Sequence, residues 1–378
     1  MEPNGAATLA PRGLVEESRA LTGLRAVAAL LVMVHHFYLH LALDQHLPVL
    51  QWLLRKGYLG VDLFFVLSGF VLCMVYGDWF AGTRHWGWVE YLRFVSRRVA
   101  RLWPLHAAVL VIVLLLVPGL GGHQPSFNMV LANLAMIQPW GLSAAINPPA
   151  WSVGTEFGAY LLFPVLAVVG LRRPWGWLVL LVLAAGALAF SVAHAPPIGP
   201  GRRGLLDLYF NYSFLPLLRC VAGFSLGMVA WQAGGWPALR RICATTWFGP
   251  AMLVLFVSLM LGRVNDLVIL PVLPLLVLGV HFGRGPIHAV LARDPLHRLG
   301  LLSYSTYLLH YVLLRLFPFY WSRLSILLPV YLLLTVAAAV VAHRVIEVPG
   351  RRALRAAAEG LLQRVFGGAG KPLQDRGR

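Results

Sequence analysis

Residues 21–37 read LTGLRAVAALLVMVHHF. Everything between Arg25 and the His35-His36 pair is apolar, so the segment reads as the core of a helix that crosses hydrocarbon, where about 20 residues are needed. An ionisable side chain at such depth costs free energy and is a functional candidate for that reason. Eleven positions separate Arg25 from His36, which at about 100° per residue is three turns plus roughly 20°. The two therefore share a helix face about 16 Å apart, while His35 points elsewhere. A guanidinium aligned with a deeper imidazole suggests a track from an anionic ligand to a proton-handling group. A plainer reading stands beside it: Arg25 as an inner-face anchor and His36 as a packed hydrogen-bonding partner.

The rest of the chain repeats the apolar pattern of this segment. Of 378 residues 59% are hydrophobic and 12% charged, against about 25% charged in soluble domains, and mean hydropathy is +0.74. These values exclude an ordinary soluble globule and predict an all-α polytopic membrane protein. Apolar windows fall near 24–41, 59–76, 102–118, 151–170, 177–194, 208–233, 248–262, 267–282, 300–317 and 324–343, about ten transmembrane helices. Segment 127–140 is short, ends in Pro139 and reads as interfacial or re-entrant. With both termini cytoplasmic, 23 of the 31 Lys and Arg fall inside and six outside, as the positive-inside rule asks, with Arg219 and Arg315 within spans. The expected organisation is a cytoplasmic segment 1–20, a transmembrane domain 21–346 and a basic tail 347–378. The tail places Leu354, Ala358, Leu361, Leu362 and Val365 at helical spacing, predicting a partly amphipathic helix on the anionic inner leaflet, followed by a disordered GKPLQDRGR.

A net charge of +17 would suggest nucleic acid in a soluble chain; here its placement points to membrane lipids and orientation, with no nucleic-acid partner. Cys73, Cys220 and Cys243 offer neither a disulfide framework nor a metal spacing, and no metal is expected. Residues 1–20 lack the apolar core of a cleavable signal, so the first span is expected to target the chain itself.

Further chemistry gathers at a few positions. RFVSRRVARLWPLH ends the first cytoplasmic loop and concentrates Arg93, Arg97, Arg98 and Arg101 at the mouth of the third span, where permanently charged bidentate donors suit phosphates or simply snorkel. In PPAWSVGTEFGAYLLFP, Trp151 and Ser152 precede Glu156, a carboxylate about one turn inside a helix that either positions substrate or pairs with an arginine. Tyr304 and His310 lie in SYSTYLLHY, and Glu347 in VIEVP. Ser68 in FFVLSGF reads as a helix-packing serine rather than a nucleophile. Trp52, Trp140, Trp151 and Trp321, near outer ends, suit carbohydrate stacking or the interfacial aromatic belt equally.

In this order LTGLRAVAALLVMVHHF, LGVDLFFVLSGFVL, RRVARLWPLH, PAWSVGTEFGAYLLFP, LLSYSTYLLH and VIEVP resemble the bacterial membrane-bound acyltransferase family 3, over Leu21 to Pro349. The resemblance implies a ten-helix O-acyltransferase of the bacterial inner membrane. It moves an acyl group, commonly acetyl, from cytoplasmic acyl-coenzyme A as co-substrate to a hydroxyl of a glycan. Exopolysaccharide, including a cellulose-like polymer, lipopolysaccharide, peptidoglycan and a small macrolide remain open as acceptors. Arg25 and His36 match the family's arginine–ten residues–histidine motif as the catalytic pair, and Arg97, Arg98 and Arg101 its acyl-coenzyme A-binding cluster. Glu156 and Tyr304 fall in further family motifs. Thr22 departs from the pattern, where many relatives carry Asp, and a stand-alone form without a C-terminal esterase-like domain is expected. His36 then acts as base toward the acceptor or carries the acyl group transiently, and the residues leave that choice open. Two rivals are a transporter or flippase, and a non-catalytic partner of a polysaccharide synthase or export complex.

Overall fold

Backbone amides in hydrocarbon must be satisfied within their own segment, so the apolar runs fold as helices. The computed structural model describes residues 18–41, 50–82, 86–116, 124–198, 203–209, 212–316 and 324–367. Residues 1–17 of the expected N-terminal segment, Trp321 and the terminal GKPLQDRGR lie outside them. Every regular element described is helical. The first half comprises α1 (Arg19–His40), α2 (Gln51–Arg55), α3 (Leu59–Ala81), α4 (Trp88–Leu116), α5 (Phe127–Leu134), α6 (Ala150–Leu171), α7 (Gly176–His194) and α8 (Leu215–Ala233). The second comprises α9 (Pro237–Cys243), α10 (Phe248–Leu261), α11 (Asp266–Ile269), α12 (Val272–Phe282), α13 (Pro286–Leu291), α14 (Asp294–Leu301), α15 (Ser303–Leu316), α16 (Leu324–Ala342) and α17 (Val348–Phe366).

Among the described residues, seven helices are long and apolar enough to cross a membrane, or eight if α9 and α10, bent by 75°, make one broken span. Seven of the ten expected windows are met by these long helices. Window 248–262 is met by the 14-residue α10, 267–282 by α11 and α12, and 300–317 by the 14-residue α15, whose start is separated from α14 by Leu302. Two boundaries move for identifiable reasons. Pro216 sits in the first turn of α8, where its missing N–H costs nothing, so the helix begins at Leu215 and not at 208. The arginine cluster expected in a loop is already helical: α4 starts at Trp88 because Phe94 and Ala100 bury their side chains on one side of it. Segment 127–140 forms α5 and a π-helical turn, Gln138–Leu142, folded against the start of α6. Gly141 adopts φ +90° there, a left-handed backbone that suits only glycine, and Trp140 Nε1 donates to the Gly154 carbonyl at 3.0 Å.

Helices pack through small residues, as they must where lipid offers no hydrophobic contrast. Between α3 and α8 the contact is reciprocal: a Cβ on Gly69 would lie 2.0 Å from the Phe224 carbonyl oxygen, and one on Gly227 2.0 Å from that of Val66. The same pair of helices carries an ion pair absent from the sequence-level candidates. Arg219 Nε and Nη2 reach Asp62 Oδ1 and Oδ2 at 2.9 and 2.5 Å, both residues 1% exposed, with the Tyr58 and Trp151 rings against the guanidinium. Tyr58 donates to Asp266 Oδ2 at 2.7 Å, as does the Leu206 amide at 3.0 Å, fastening α11 and segment 203–209 to the start of α3.

The expected boundary at 346–347 falls inside a continuous 40-residue helix, Leu327–Phe366, in which a π-helical turn (His343–Glu347) joins α16 to α17. α17 turns one face to α4: Gly350 abuts Pro104, Arg93 pairs with Glu359 at 3.2 Å, and Leu362 is buried, while Leu361 and Val365 stay exposed.

Candidate active site

α1 presents Arg25 nearly two turns inside its N-terminal end at Arg19, and three adjoining cavities share this residue as wall. The first, about 1130 Å³ (this and the next two volumes include space open to solvent), lies between α1, α3, α4 and α17 and is lined by Arg25, Arg98, Arg101, His343, Arg351 and Arg355. The second, about 440 Å³, keeps Arg25, Arg98 and Arg101 and adds Ser68, Glu156, Tyr160 and Tyr304. The third, about 400 Å³, is lined by Arg25, Phe64, Ser152, Glu156, Tyr304 and Tyr307, with no other arginine. Shared residues make the three one stepped, narrowing passage whose positive charge is concentrated at its wide end.

The arginines are not equivalent. Arg101 is ion-paired with Glu347, a fully buried carboxylate that also accepts from Ser305 Oγ at 2.6 Å and His343 Nδ1 at 3.0 Å. Arg98 donates to the Tyr76 hydroxyl at 3.0 Å and leaves a buried Nε without a partner, whereas Arg25 lies over the Phe64 ring at 5.7 Å. Among the described residues neither Arg25 nor Arg98 has a carboxylate partner, so both retain charge for an anionic ligand. Arg97 sits over Trp79 at 5.6 Å and lines none of the three cavities, so the expected trio separates. Glu156 accepts from Ser68 Oγ and from the Tyr160 hydroxyl at 2.5 Å, which uses Ser68 as a donor. Tyr304 donates to the Leu102 carbonyl at 2.6 Å. Ser152 donates to that of Pro149 at 3.1 Å, leaving its oxygen to accept from Tyr307 at 2.7 Å.

Behind Tyr307, outside the lining of these cavities, stand His310, His36 and His35. Arg25 meets Tyr304 and Tyr307 of α15 in the passage, and one helix face further along α1 His36 meets His310 and Tyr311 of the same helix. Their tautomers follow from what each nitrogen touches, since a carbonyl oxygen only accepts. His310 Nδ1 lies 2.5 Å from the Tyr307 carbonyl oxygen and therefore carries its proton, which leaves Nε2 as an acceptor. His36 Nδ1, 3.0 Å from that Nε2 and 3.1 Å from the Val32 carbonyl oxygen, is the donor to both. The His36 lone pair is thus on Nε2, where no described group bonds it. His35, by contrast, donates from Nδ1 to the Leu54 carbonyl at 2.6 Å and ties α1 to α2.

Trp151 is covered by Tyr209 on one face, with centroids at 5.5 Å, and by the Arg219 guanidinium, so its ring is not an open sugar platform. Trp140 stacks with Phe157, and the Trp52 ring is occupied by Arg55 and Arg263. Several lining residues escaped the sequence reading. Nothing in the sequence singles out Tyr160 or Tyr307, and Arg351 and Arg355 read there as part of the polar faces of a helix on the inner leaflet. Only helical phase could have found Tyr307, three positions before His310. Thr22 is buried with its hydroxyl unpartnered, and its carbonyl lies against Gly300. Among the described residues no group of three His, Cys, Asp or Glu is placed to hold a metal ion, and the three cysteines are free and buried.

A family model described as the acyltransferase domain matches residues 18–344, that is α1 through α16. Acyltransferase MdmB of Streptomyces mycarofaciens is 26% identical across 78% of this chain and 79% of its own length. The putative peptidoglycan O-acetyltransferase YrhL of Bacillus subtilis is 25% identical across 77% of this chain, and the O-acetyltransferase OatA of Staphylococcus aureus 26% identical across 88%. The chain spans only 48% and 57% of the length of these last two. No solved structure is matched. With the family model covering most of the chain, including Arg25, Arg98, Glu156, His36 and His310, the chain belongs to this acyltransferase family and is a multi-pass membrane enzyme.

Proposed function

We propose that the chain is an O-acyltransferase of the bacterial inner membrane that takes an acyl group, acetyl, from cytoplasmic acyl-coenzyme A and delivers it to a hydroxyl of a cell-surface or secreted glycan. The observation that carries this reading is the passage itself: arginines at its wide end, and at its narrow end Tyr307, whose carbonyl holds the histidine that in turn holds His36. Cytoplasmic termini put the wide end at the inner face, in keeping with the distribution of Lys and Arg. Arg25 and Arg98 hold phosphate oxygens, and the thioester arm extends past Tyr304 toward Tyr307. His36 Nε2 then takes the proton of the acceptor hydroxyl, the oxygen attacks the thioester carbonyl, and the C–S bond breaks. The thiolate leaves and recovers the proton as free thiol. Alternatively Nε2 attacks first and forms an acyl-histidine that the hydroxyl resolves. In either course the imidazolium is stabilised by the hydrogen bond from Nδ1 to His310.

A glycan acceptor is in keeping with the relative named for peptidoglycan O-acetylation. The test uses the full chain in detergent with radiolabelled acetyl-coenzyme A, following thiol release and transfer of label to a glycan panel. Wild type is expected to release thiol and label one acceptor class, and His36→Ala to do neither while inserting and binding donor normally. Full transfer by a well-inserted His36→Ala protein would sink both courses.

A further inference from the structure

We propose that α17, which lies wholly beyond the matched acyltransferase domain, forms the nucleotide end of the donor site, with Arg351 and Arg355 binding the 3′-phosphate of coenzyme A; this rests on the acyl-coenzyme A reading above. Arg351 and Arg355 are four residues apart, so they project from one face of α17, and that face looks into the widest cavity. They line this cavity and neither of the two deeper ones, whereas Arg25, Arg98 and Arg101 line both the widest and the second. A linear ligand whose thioester must travel inward to His36 leaves its nucleotide in the wide chamber. The inner arginines then meet the diphosphate, and the α17 pair meets the 3′-phosphate.

Charge matches the assignment. Five guanidinium groups line this chamber, of which Arg25 and Arg98 have no carboxylate partner among the described residues, and Glu347 beside them already accepts from Arg101, His343 and Ser305. A ligand with a single phosphate leaves much of that charge uncompensated. A diphosphate together with a phosphomonoester of charge about −1.5 to −2 offsets it. The wall is also rigid. α17 is held to α4 by Gly350 against Pro104 and by Arg93 on Glu359, and it continues from α16 through the turn that carries Glu347. Arg351 and Arg355 are therefore placed by the fold and not by a mobile tail.

The test compares acetyl-coenzyme A with acetyl-dephospho-coenzyme A, which lacks only the 3′-phosphate, on the full chain in detergent. Wild type is expected to show a KM about tenfold or more higher for the dephospho donor with similar kcat, the size expected for losing a charge-assisted contact. Arg351→Gln/Arg355→Gln is expected to raise KM for acetyl-coenzyme A to the dephospho value and leave the dephospho KM nearly unchanged, so the ratio collapses toward one. Arg355→Gln alone, at an exposed position, is expected to lose part of the ratio, and Arg352→Gln none of it. Equal KM values for the two donors in wild type, or a preserved ratio in the Gln variants, overturn the α17 assignment while leaving the acyl-coenzyme A reading intact. Failure of wild type to consume either thioester overturns both.

Discussion

Replacing His310 with phenylalanine keeps a ring of similar size in a fully buried site and removes the one acceptor that holds His36 from outside its own helix. The size of the effect follows from the 3.0 Å bond between His36 Nδ1 and His310 Nε2. With His36 neutral, such a bond contributes about 1 kcal/mol; once Nε2 has taken a proton the donor is cationic and the bond is worth about 1.5–3 kcal/mol. Only the difference, about 1–2 kcal/mol, acts on the barrier, because ground-state holding is common to both states. At about 1.4 kcal/mol per factor of ten, His310→Phe is expected to lower kcat about 5- to 30-fold. His310 lines none of the arginine cavities, so KM for acetyl-coenzyme A should stay within about twofold. His310→Gln offers an amide oxygen to the same N–H and should recover part of the loss. Initial rates of thiol release by the full chain in detergent, with acceptor present, give both parameters. A wild-type kcat for His310→Phe, or a loss confined to KM, refutes the positioning role.

Two further outcomes concern stability. Asp62→Ala strands the Arg219 charge in a dry site and is expected to cost about 3–5 kcal/mol, read as a lowered melting temperature in detergent, whereas Asp62→Leu/Arg219→Met should recover most of it. Gly227→Val drives a side chain into the Val66 carbonyl and should separate α3 from α8, seen as loss of folded protein; Gly360→Ala, with open space around it, is the control that should be neutral or slightly stabilising.

Local physics carries the sequence reading where the candidate groups lie along a single helix. Arg25 and His36 follow from one helix and its period, and the structure turns both toward α15. Glu156 stood out as a lone carboxylate in an apolar run, and it lines the passage. Long-range pairing was silent: Asp62 and Arg219 lie 157 positions apart, and nothing in either segment announces the other. Arg97 and Arg98 are neighbours in a motif, yet about 100° of helix rotation sends one to Trp79 and the other to the passage. Composition alone does not fix the role of the basic tail, because arginines on an amphipathic helix suit a lipid surface as well as a chamber wall; packing on α4 is what brings Arg351 and Arg355 to the cavity. Hydropathy reads the regions of α10, α12 and α15 as spans because it registers apolar content and not where a helix breaks; among the described residues these helices have 14, 11 and 14 residues.

The narrowing of the passage from Arg98 to Tyr307 bears on energy coupling. In the proposed reaction only the acyl end passes the narrow step, and the acceptor's proton returns the other way to the thiol. An acyl group moving outward in exchange for a proton moving inward carries no net charge. Turnover of this kind draws nothing from the membrane potential, which is worth about 2.3 kcal/mol per elementary charge at 100 mV, and owes its direction to the thioester alone. A cell whose membrane is depolarised would still decorate its surface for as long as it makes acyl-coenzyme A.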